Sequence, residues 1–415
     1  MGRIVVVGGG VIGLCTAYAL RQRGAEVTVV EAREGAHGAS VVNAGWITPS
    51  LTEPVPAPGL VKTSIKWMAK GDSPLYIHPL SAPKLAPWLI AFWRKCNQRD
   101  HLRGMEATSE LARRTMLTFD EMKAAGVRYE EHQDGLLYAY QSVETLQKDW
   151  EHLAPLNKYG YTVPPILDRE AVHAFDPVLG PSVNGGYWFQ QDRSVRPDSL
   201  TSGLREWLEE RNVEFRTTTR VTGFDAPDGA VRAVGTSSGA IACDGVVIAA
   251  GVWSGEVARL AGVKLPIQGG KGYCLDYTPA PQQFTRSLYL HEARVAVTPF
   301  DGGVRLAGTM EFSGINDIMR PKRVAALSRT ASTMLKDFPA DPKRATRIGN
   351  GLRPMTPDGL PVIGLLKGYR NLAVASGHAM LGVTLGTVTA EAVAETILTG
   401  TAPEVARPFD PNRFA

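Results

Sequence analysis

The sequence predicts an α/β chain, α+β overall, in which a βαβ unit is interleaved with a second unit built on an antiparallel sheet. Three observations carry this expectation. The chain has 415 residues, more than a single hydrophobic core usually organises. Its N-terminus alternates strand-like, helical and strand-like patterns around glycines. Beyond its middle, short β-branched runs return, separated by turn residues.

Taken in order, residues 4–7 are a β-branched run bounded by glycines, 27–30 are another, and 11–23 between them carry apolar residues at helical spacing. Residues 39–86 are rich in Pro, Gly, Ser and Thr and read as an extended loop region, of a length that usually serves a function. The WLIAFW run at 88–93 falls far short of the roughly 20 apolar residues that cross a bilayer. It reads as a buried helix turn, with a peripheral membrane-contact patch as the other reading. A helix is expected over 106–125, closed by Gly126, and another over 199–211, started by Pro197, Asp198 and Ser199. Strands follow at 213–219, 231–236 and 246–250. A hairpin joins 295–299 to 304–307 through Asp301, Gly302 and Gly303, and a last helix over 391–398 ends at Gly400.

Composition excludes several classes. Hydrophobic residues make up 44% and charged residues 21%, as in ordinary globular proteins. The net charge of +4 is scattered without a basic run, which argues against a nucleic-acid partner. Cys15, Cys96, Cys243 and Cys274 lie far apart with no CxxC pair, so neither a metal site nor a disulfide framework is expected. The N-terminal strand is needed by the unit that residues 4–30 form and is not read as a cleaved leader. The expected location is cytoplasmic, with attachment to the cytoplasmic face of a membrane left open.

Gly8, Gly10 and Gly13 form GxGxxG between strand and helix. Gly8 permits the tight turn, Gly10 lets a pyrophosphate approach the backbone, and Gly13 lets helix and strand pack closely. The first helical turn, with Val11 and Ile12, offers unpaired N–H groups and a positive dipole end to phosphates. Glu31 ends the second strand, followed by Ala32 and Arg33, where an acid accepts hydrogen bonds from an adenosine ribose and disfavours a 2′-phosphate. FAD and NAD both fit this unit.

Three further segments resemble the D-amino acid oxidase and glycine oxidase superfamily, most closely its bacterial D-amino acid dehydrogenases. The segment 38–45 (GASVVNAG), with Ser40, Asn43, Ala44 and Gly45, resembles that family's flavin-approach loop. The segment 246–254 (VVIAAGVWS), with Ala250, Gly251 and Trp253, resembles the strand and turn passing the adenosine end, and Val221 sits where the family uses a backbone contact to adenine. The segments 351–359 (GLRPMTPDG) and 376–378 (SGH), then Leu381 and Gly382, resemble the C-terminal signature. Together they touch the beginning, middle and end of the chain.

The resemblance implies a Rossmann-type FAD-binding domain from residues 1–60, 192–265 and 345–415, and a substrate domain from 61–191 and 266–344. Gly377, Leu381, Gly382, Val383 and Thr384 are then expected beside the flavin ring, where a glycine turn entering a helix can present N–H groups to developing negative charge. Relatives with tethered flavin carry a Cys in the stretch occupied here by 350–352; the FAD is therefore expected to be non-covalent.

Arg353 aligns with the family's substrate arginine, and a planar guanidinium suits a two-pronged carboxylate contact. Tyr273 resembles the family's pocket tyrosine and is expected to give the carboxylate a second donor. His378 is a candidate flavin or substrate contact. The implied activity is oxidative deamination of a small amino acid, first among them D-amino acids including D-proline or hydroxyproline, by transfer of the α-hydrogen as hydride. The electron acceptor (quinone, carrier protein or oxygen) and any oligomer or partner subunit are not specified. The alternatives are a glycine- or sarcosine-type oxidase, an NAD-dependent dehydrogenase, and a flavin-binding module without turnover.

Overall fold

The computed structural model describes residues 2–35, 38–60, 73 and 75–414. The N-terminal runs form parallel strands Arg3–Val7 and Glu26–Val30, joined by helix Val11–Gln22. They lie within a six-stranded sheet in the order Val362–Leu365, Leu372–Ser376, Gly245–Ile248, Arg3–Val7, Glu26–Val30, Glu214–Arg216. All neighbours are parallel except the first pair. Strands covered on both faces read as unbroken Val and Ile runs rather than alternating ones. One face buries Val6 and Val27 against Leu14, Ala17 and Val388 of helices Val11–Gln22 and Gly386–Thr399. The other buries Val5 and Val246 against Val234 and Ile241 of a small three-stranded sheet and Ala258 of helix Ser254–Leu260.

The second large sheet runs Arg347–Met355, Gln268–Tyr277, Gly303–Phe312, Val295–Phe300, Ser287–Leu290, Leu136–Tyr140, Gly185–Phe189, with Leu75–Ile77 attached to Gly303–Phe312. It is antiparallel except where Ser287–Leu290 meets Leu136–Tyr140 and where Leu75–Ile77 meets its neighbour. Leu275, Leu306 and Val297 bury one face against Val324 and Leu327 of helix Pro321–Ser332. The opposite face meets the 38–45 segment, where Val42 and Ala44 pack on Cys274, Ala296 and Ala307.

Several expectations are corrected. The loop region at 39–86 holds strands Trp46–Ile47 and Leu75–Ile77 and the start of helix Ala82–Lys95; its part at 61–72 and at 74 lies outside the described residues. The 88–93 run is no buried turn: Trp88 is buried, but Trp93 is 61% and Ile90 48% exposed, as an amphipathic surface helix requires. The helix expected over 106–125 is two, Gln98–Ala112 and Thr115–Ala124, and the last helix begins earlier, at Gly386. Of the strand expected over 213–219, only Glu214–Arg216 forms, and Val221 opens a separate strand, Val221–Asp225.

The unit boundaries also interleave more finely. Strand Arg347–Met355, expected in the cofactor unit, is hydrogen-bonded along its length to Gln268–Tyr277 in the second sheet. The two helices of 98–124, expected in the substrate unit, bury Leu111, Phe119 and Met122 against the nucleotide sheet's own core.

Candidate active site

The glycine cradle has the close approaches that its spacing anticipates. Gly8 has φ +118°, a conformation that side chains disfavour, and a Cβ there would overlap the Ala249 carbonyl. A Cβ on Gly13 would overlap the carbonyl oxygen of Gly8. At Gly10 it would stand 2.8 Å from the Ser40 hydroxyl. That hydroxyl accepts the Val11 N–H at 2.9 Å, so Ser40 lies where a phosphate would meet the helix end. Ile12 packs into the core with the same helix.

Glu31 accepts from Gly9 N at 2.8 Å and from Arg33 N at 2.9 Å, which aims its carboxylate into the crevice at the carboxyl ends of the strands, where nucleotides bind in such sheets. A cavity of 310 Å³ opens there, lined by Gly9, Glu31, Val41, Asp198 and Arg205 among others. Ala32 is exposed beside it. The Arg33 guanidinium lies 4.8 Å from the Trp253 ring. That ring belongs to the turn of Ala250 and Gly251, tied to the C-terminal strand by Ser376 Oγ donating to Gly251 O at 2.8 Å. Val221 is buried and packs with Val5 and Val7 beneath this region.

The 38–45 segment is held in place by other parts of the chain. Asn43 spends its side chain locally, donating to Ala39 O at 2.8 Å and accepting from Gly45 N at 2.7 Å, so it shapes the loop. Gly45, at φ +76°, could not carry a Cβ without overlapping the Val195 carbonyl. From the second sheet, the buried Arg305 donates to Val41 O at 3.1 Å and Asn43 O at 3.0 Å while pairing with Asp276 at 2.6 Å. Thr298 adds a bond to Ala44 O at 2.8 Å. Sequence reasoning missed this clamp. Its signal was present: an arginine at 305 inside an apolar strand needs a buried partner.

At the C-terminal end, Gly377 has φ +80° and Ala379 +49°, and the turn is closed by Leu381 N to His378 O at 2.8 Å and Leu385 N to Leu381 O at 2.8 Å. Among the described residues the N–H groups of Gly382, Val383 and Thr384 enter no such backbone bond, as suits a turn that presents donors. The Thr384 hydroxyl bridges Thr48 N and Trp46 O, each at 3.1 Å, and joins this turn to the chain leaving the 38–45 segment. Helix Gly386–Thr399 starts against helix Val11–Gln22, a Cβ on Gly386 falling 3.5 Å from Cys15 Sγ.

Arg353 sits where the two sheets meet. Its strand is bonded to the His378 turn through Ala379 N to Pro354 O at 2.9 Å. The guanidinium lies against the backbone of Gly272, where a Cβ would overlap it, and Nη1 donates to Thr309 O at 2.8 Å. No carboxylate among the described residues pairs with it, and burial pulls its pKa down to about 10. At neutral pH it remains a cation lacking an anion, an expensive state unless a ligand supplies one.

The other two candidates stand differently. Tyr273 is on the opposite face of its strand: Gly349, Gly351 and Arg353 face the 38–45 segment, whereas Tyr273 packs with Leu275 and Leu327 and donates to Glu311 at 2.9 Å. It is not brought together with Arg353, because strand residues one apart point to opposite faces. His378 is buried, with Nε2 bonded to Thr389 Oγ1 at 3.0 Å, and burial lowers its pKa to about 3. It is neutral at physiological pH and can serve as a hydrogen-bonding group through Nδ1, which has no partner among the described residues.

Comparison with known proteins adds the following. Residues 3–396 match the family model described as FAD dependent oxidoreductase. A D-amino acid dehydrogenase of Methylobacterium nodulans is 31% identical over 418 residues, covering 97% of both chains. One of Bradyrhizobium diazoefficiens is also 31% identical, covering 97% of this chain and 96% of its own. Among solved structures, an L-proline dehydrogenase of P. horikoshii superposes with a TM-score of 0.77 at 21% identity, covering 99% of this chain and 97% of its own. A glycine oxidase of Bacillus cereus superposes with a TM-score of 0.71 at 22% identity, covering 97% and 96%. At those identities the superpositions speak to the fold.

Proposed function

The chain belongs to the FAD dependent oxidoreductase family, and from that premise we propose that it is a D-amino acid dehydrogenase, removing hydride from the Cα of small D-amino acids, cyclic ones included. The observation that carries the proposal is Arg353, a cation without an acidic partner on the sheet face that meets the 38–45 segment. A carboxylate is the anion its planar fork fits. The dehydrogenase names of the full-length relatives at 31% identity support the D-enantiomer and the dehydrogenase class.

The chain's own residues supply binding and orientation. Gly8, Gly10, Val11 and Ser40 would hold the pyrophosphate, Glu31 the ribose, and the N–H groups of 382–384 the flavin ring. When bound, FAD supplies the hydride acceptor. Arg353 fixes the substrate carboxylate, and so the direction of the Cα hydrogen; such orientation contributes up to about 7–11 kcal/mol in well-aligned cases. The substrate amine enters neutral, and the imine formed is hydrolysed by water to a keto acid and ammonia, or remains a ring imine for a cyclic substrate. Binding is dissociable on this reading: Cys274, beside Gly349, is fully buried and its thiol is pushed up to about 11, which leaves it unreactive. Electrons then pass to a quinone or carrier.

No helix among the described residues is long and apolar enough to cross a membrane. The exposed Trp93 and Ile90 support peripheral attachment to a membrane surface. The test is anaerobic: the yellow holoenzyme is mixed with D- and L-amino acids, proline isomers, glycine and sarcosine, and its visible absorbance is followed. Bleaching by a D-amino acid, with no peroxide formed in air, is expected. Bleaching by glycine or sarcosine alone, with peroxide, would replace this reading with the oxidase.

A further inference from the structure

Beside Arg353, strand Gly303–Phe312 is irregular. Lys271 pairs with Glu311 and Tyr273 with Gly308, so Thr309 and Met310 together oppose the single residue Gly272. This is a β-bulge, a device that re-aims side chains and is common next to active sites. Its residue in the left-handed conformation is Thr309, with φ +63°. Glycine is the usual occupant of such a position, and a β-branched side chain there is a marked outlier. Strain of this kind persists where the surroundings enforce it, most often at functional sites.

The hydroxyl of Thr309 is buried and has no hydrogen-bond partner among the described residues, although buried polar groups nearly always have one. The carbonyl of the same residue receives Arg353 Nη1 at 2.8 Å. Thus one residue carries an unfavourable backbone, an unsatisfied buried hydroxyl and direct contact with the unpaired guanidinium. Packing does not account for a threonine here, since glycine would relieve the backbone and valine would remove the orphaned hydroxyl.

We propose that Thr309 is a second binding residue of the carboxylate seat, its hydroxyl donating to the carboxylate that Arg353 holds. The bulge brings Thr309 and Arg353 from separate strands to one point and orients the carboxylate within the guanidinium plane. The proposal rests on the reading of Arg353 as a carboxylate site and deepens it.

The experiment measures binding without turnover. The holoenzyme is titrated with acetate and with benzoate while the flavin absorption band is followed, and the Tm of each holoenzyme variant is recorded without carboxylate. Thr309→Val should weaken carboxylate binding by about tenfold or more, the scale of a hydrogen bond to a charged group. Thr309→Ser should restore it. Thr309→Gly should keep or raise Tm yet bind as weakly as the valine variant, which a merely structural threonine would not do. Unchanged carboxylate affinity in Thr309→Val, while Arg353→Ala loses it, would overturn this proposal and leave the seat standing. Indifference of the wild type and of Arg353→Ala alike to both carboxylates would overturn the seat itself, and Thr309 with it.

Discussion

The proposed nucleotide cradle and the proposed carboxylate seat differ in how their polar groups are settled. In the cradle, Val11 N is met by Ser40, and the Glu31 carboxylate by Gly9 and Arg33. Its precision comes from glycines that permit close backbone approach. In the seat, among the described residues, Arg353 has no anion and Thr309 Oγ1 no partner. The cradle is compatible with stability on its own, whereas the seat holds unfavourable groups that a bound carboxylate would satisfy. Substitutions should therefore act on stability and cofactor in one region and on substrate alone in the other.

The largest effect, loss of the cofactor and with it of all turnover, is expected in the cradle. A valine at Gly13 would drive its Cβ into the Gly8 carbonyl, so helix Val11–Gln22 must move off its strand. Overpacking of this kind typically costs about 1–3 kcal/mol, and here it also displaces the turn proposed to hold the phosphates. Gly13→Val should purify without yellow colour and with a lowered Tm. A yellow variant melting with the wild type would break the distinction between the regions.

The seat should respond in the opposite sense. Arg353→Ala should retain FAD, while kcat/KM for carboxylate substrates falls by an amount equivalent to about 2–5 kcal/mol, the range for truncating one member of a buried charged contact. Removing an uncompensated buried charge should leave the Tm of the substrate-free protein unchanged or higher. Turnover and Tm measured on one preparation decide this, and a fall in Tm with intact turnover would make Arg353 structural.

The same contrast explains what was legible in the sequence. The cradle is local: strand, glycines, helix and terminal acid follow one another within Arg3–Arg33, and each leaves a mark in residue type. The hairpin at Asp301–Gly303 was legible for the same reason, since its turn residues adjoin its strands. The seat arises from register. Gly272 and Thr309 meet Arg353 only because Gln268–Tyr277 pairs between the other two strands, and no short window records that. The split of the 106–125 helix escaped notice because residues 113–114 carry neither Gly nor Pro. The exposed side of Ala82–Lys95 was hidden because WLIAFW shows no polar residue through which a helical period could be read.

Tyr273 gives the smallest expected effect and the finest test of that last distinction. Resemblance placed it in the substrate pocket, and register places it on the far face. There its hydroxyl donates to Glu311, which also receives Arg320 at 3.0 Å and lies 3.4 Å from Lys271. Burial raises the Glu311 pKa, but hydrogen bonds from Ser313, Tyr273 and Arg320 and the charge of Lys271 outweigh it and hold the carboxylate below its ordinary range. Tyr273→Phe removes one of several donors, so its cost should be about 1 kcal/mol of stability, the usual net value of one hydrogen bond, read by denaturant titration. Because Arg353 and Thr309 lie across the sheet, kcat/KM should stay close to wild type. A tenfold loss of kcat/KM, about 1.4 kcal/mol, with unaltered stability would mean that substrate reaches this hydroxyl and that the strand's two faces are not separated in function.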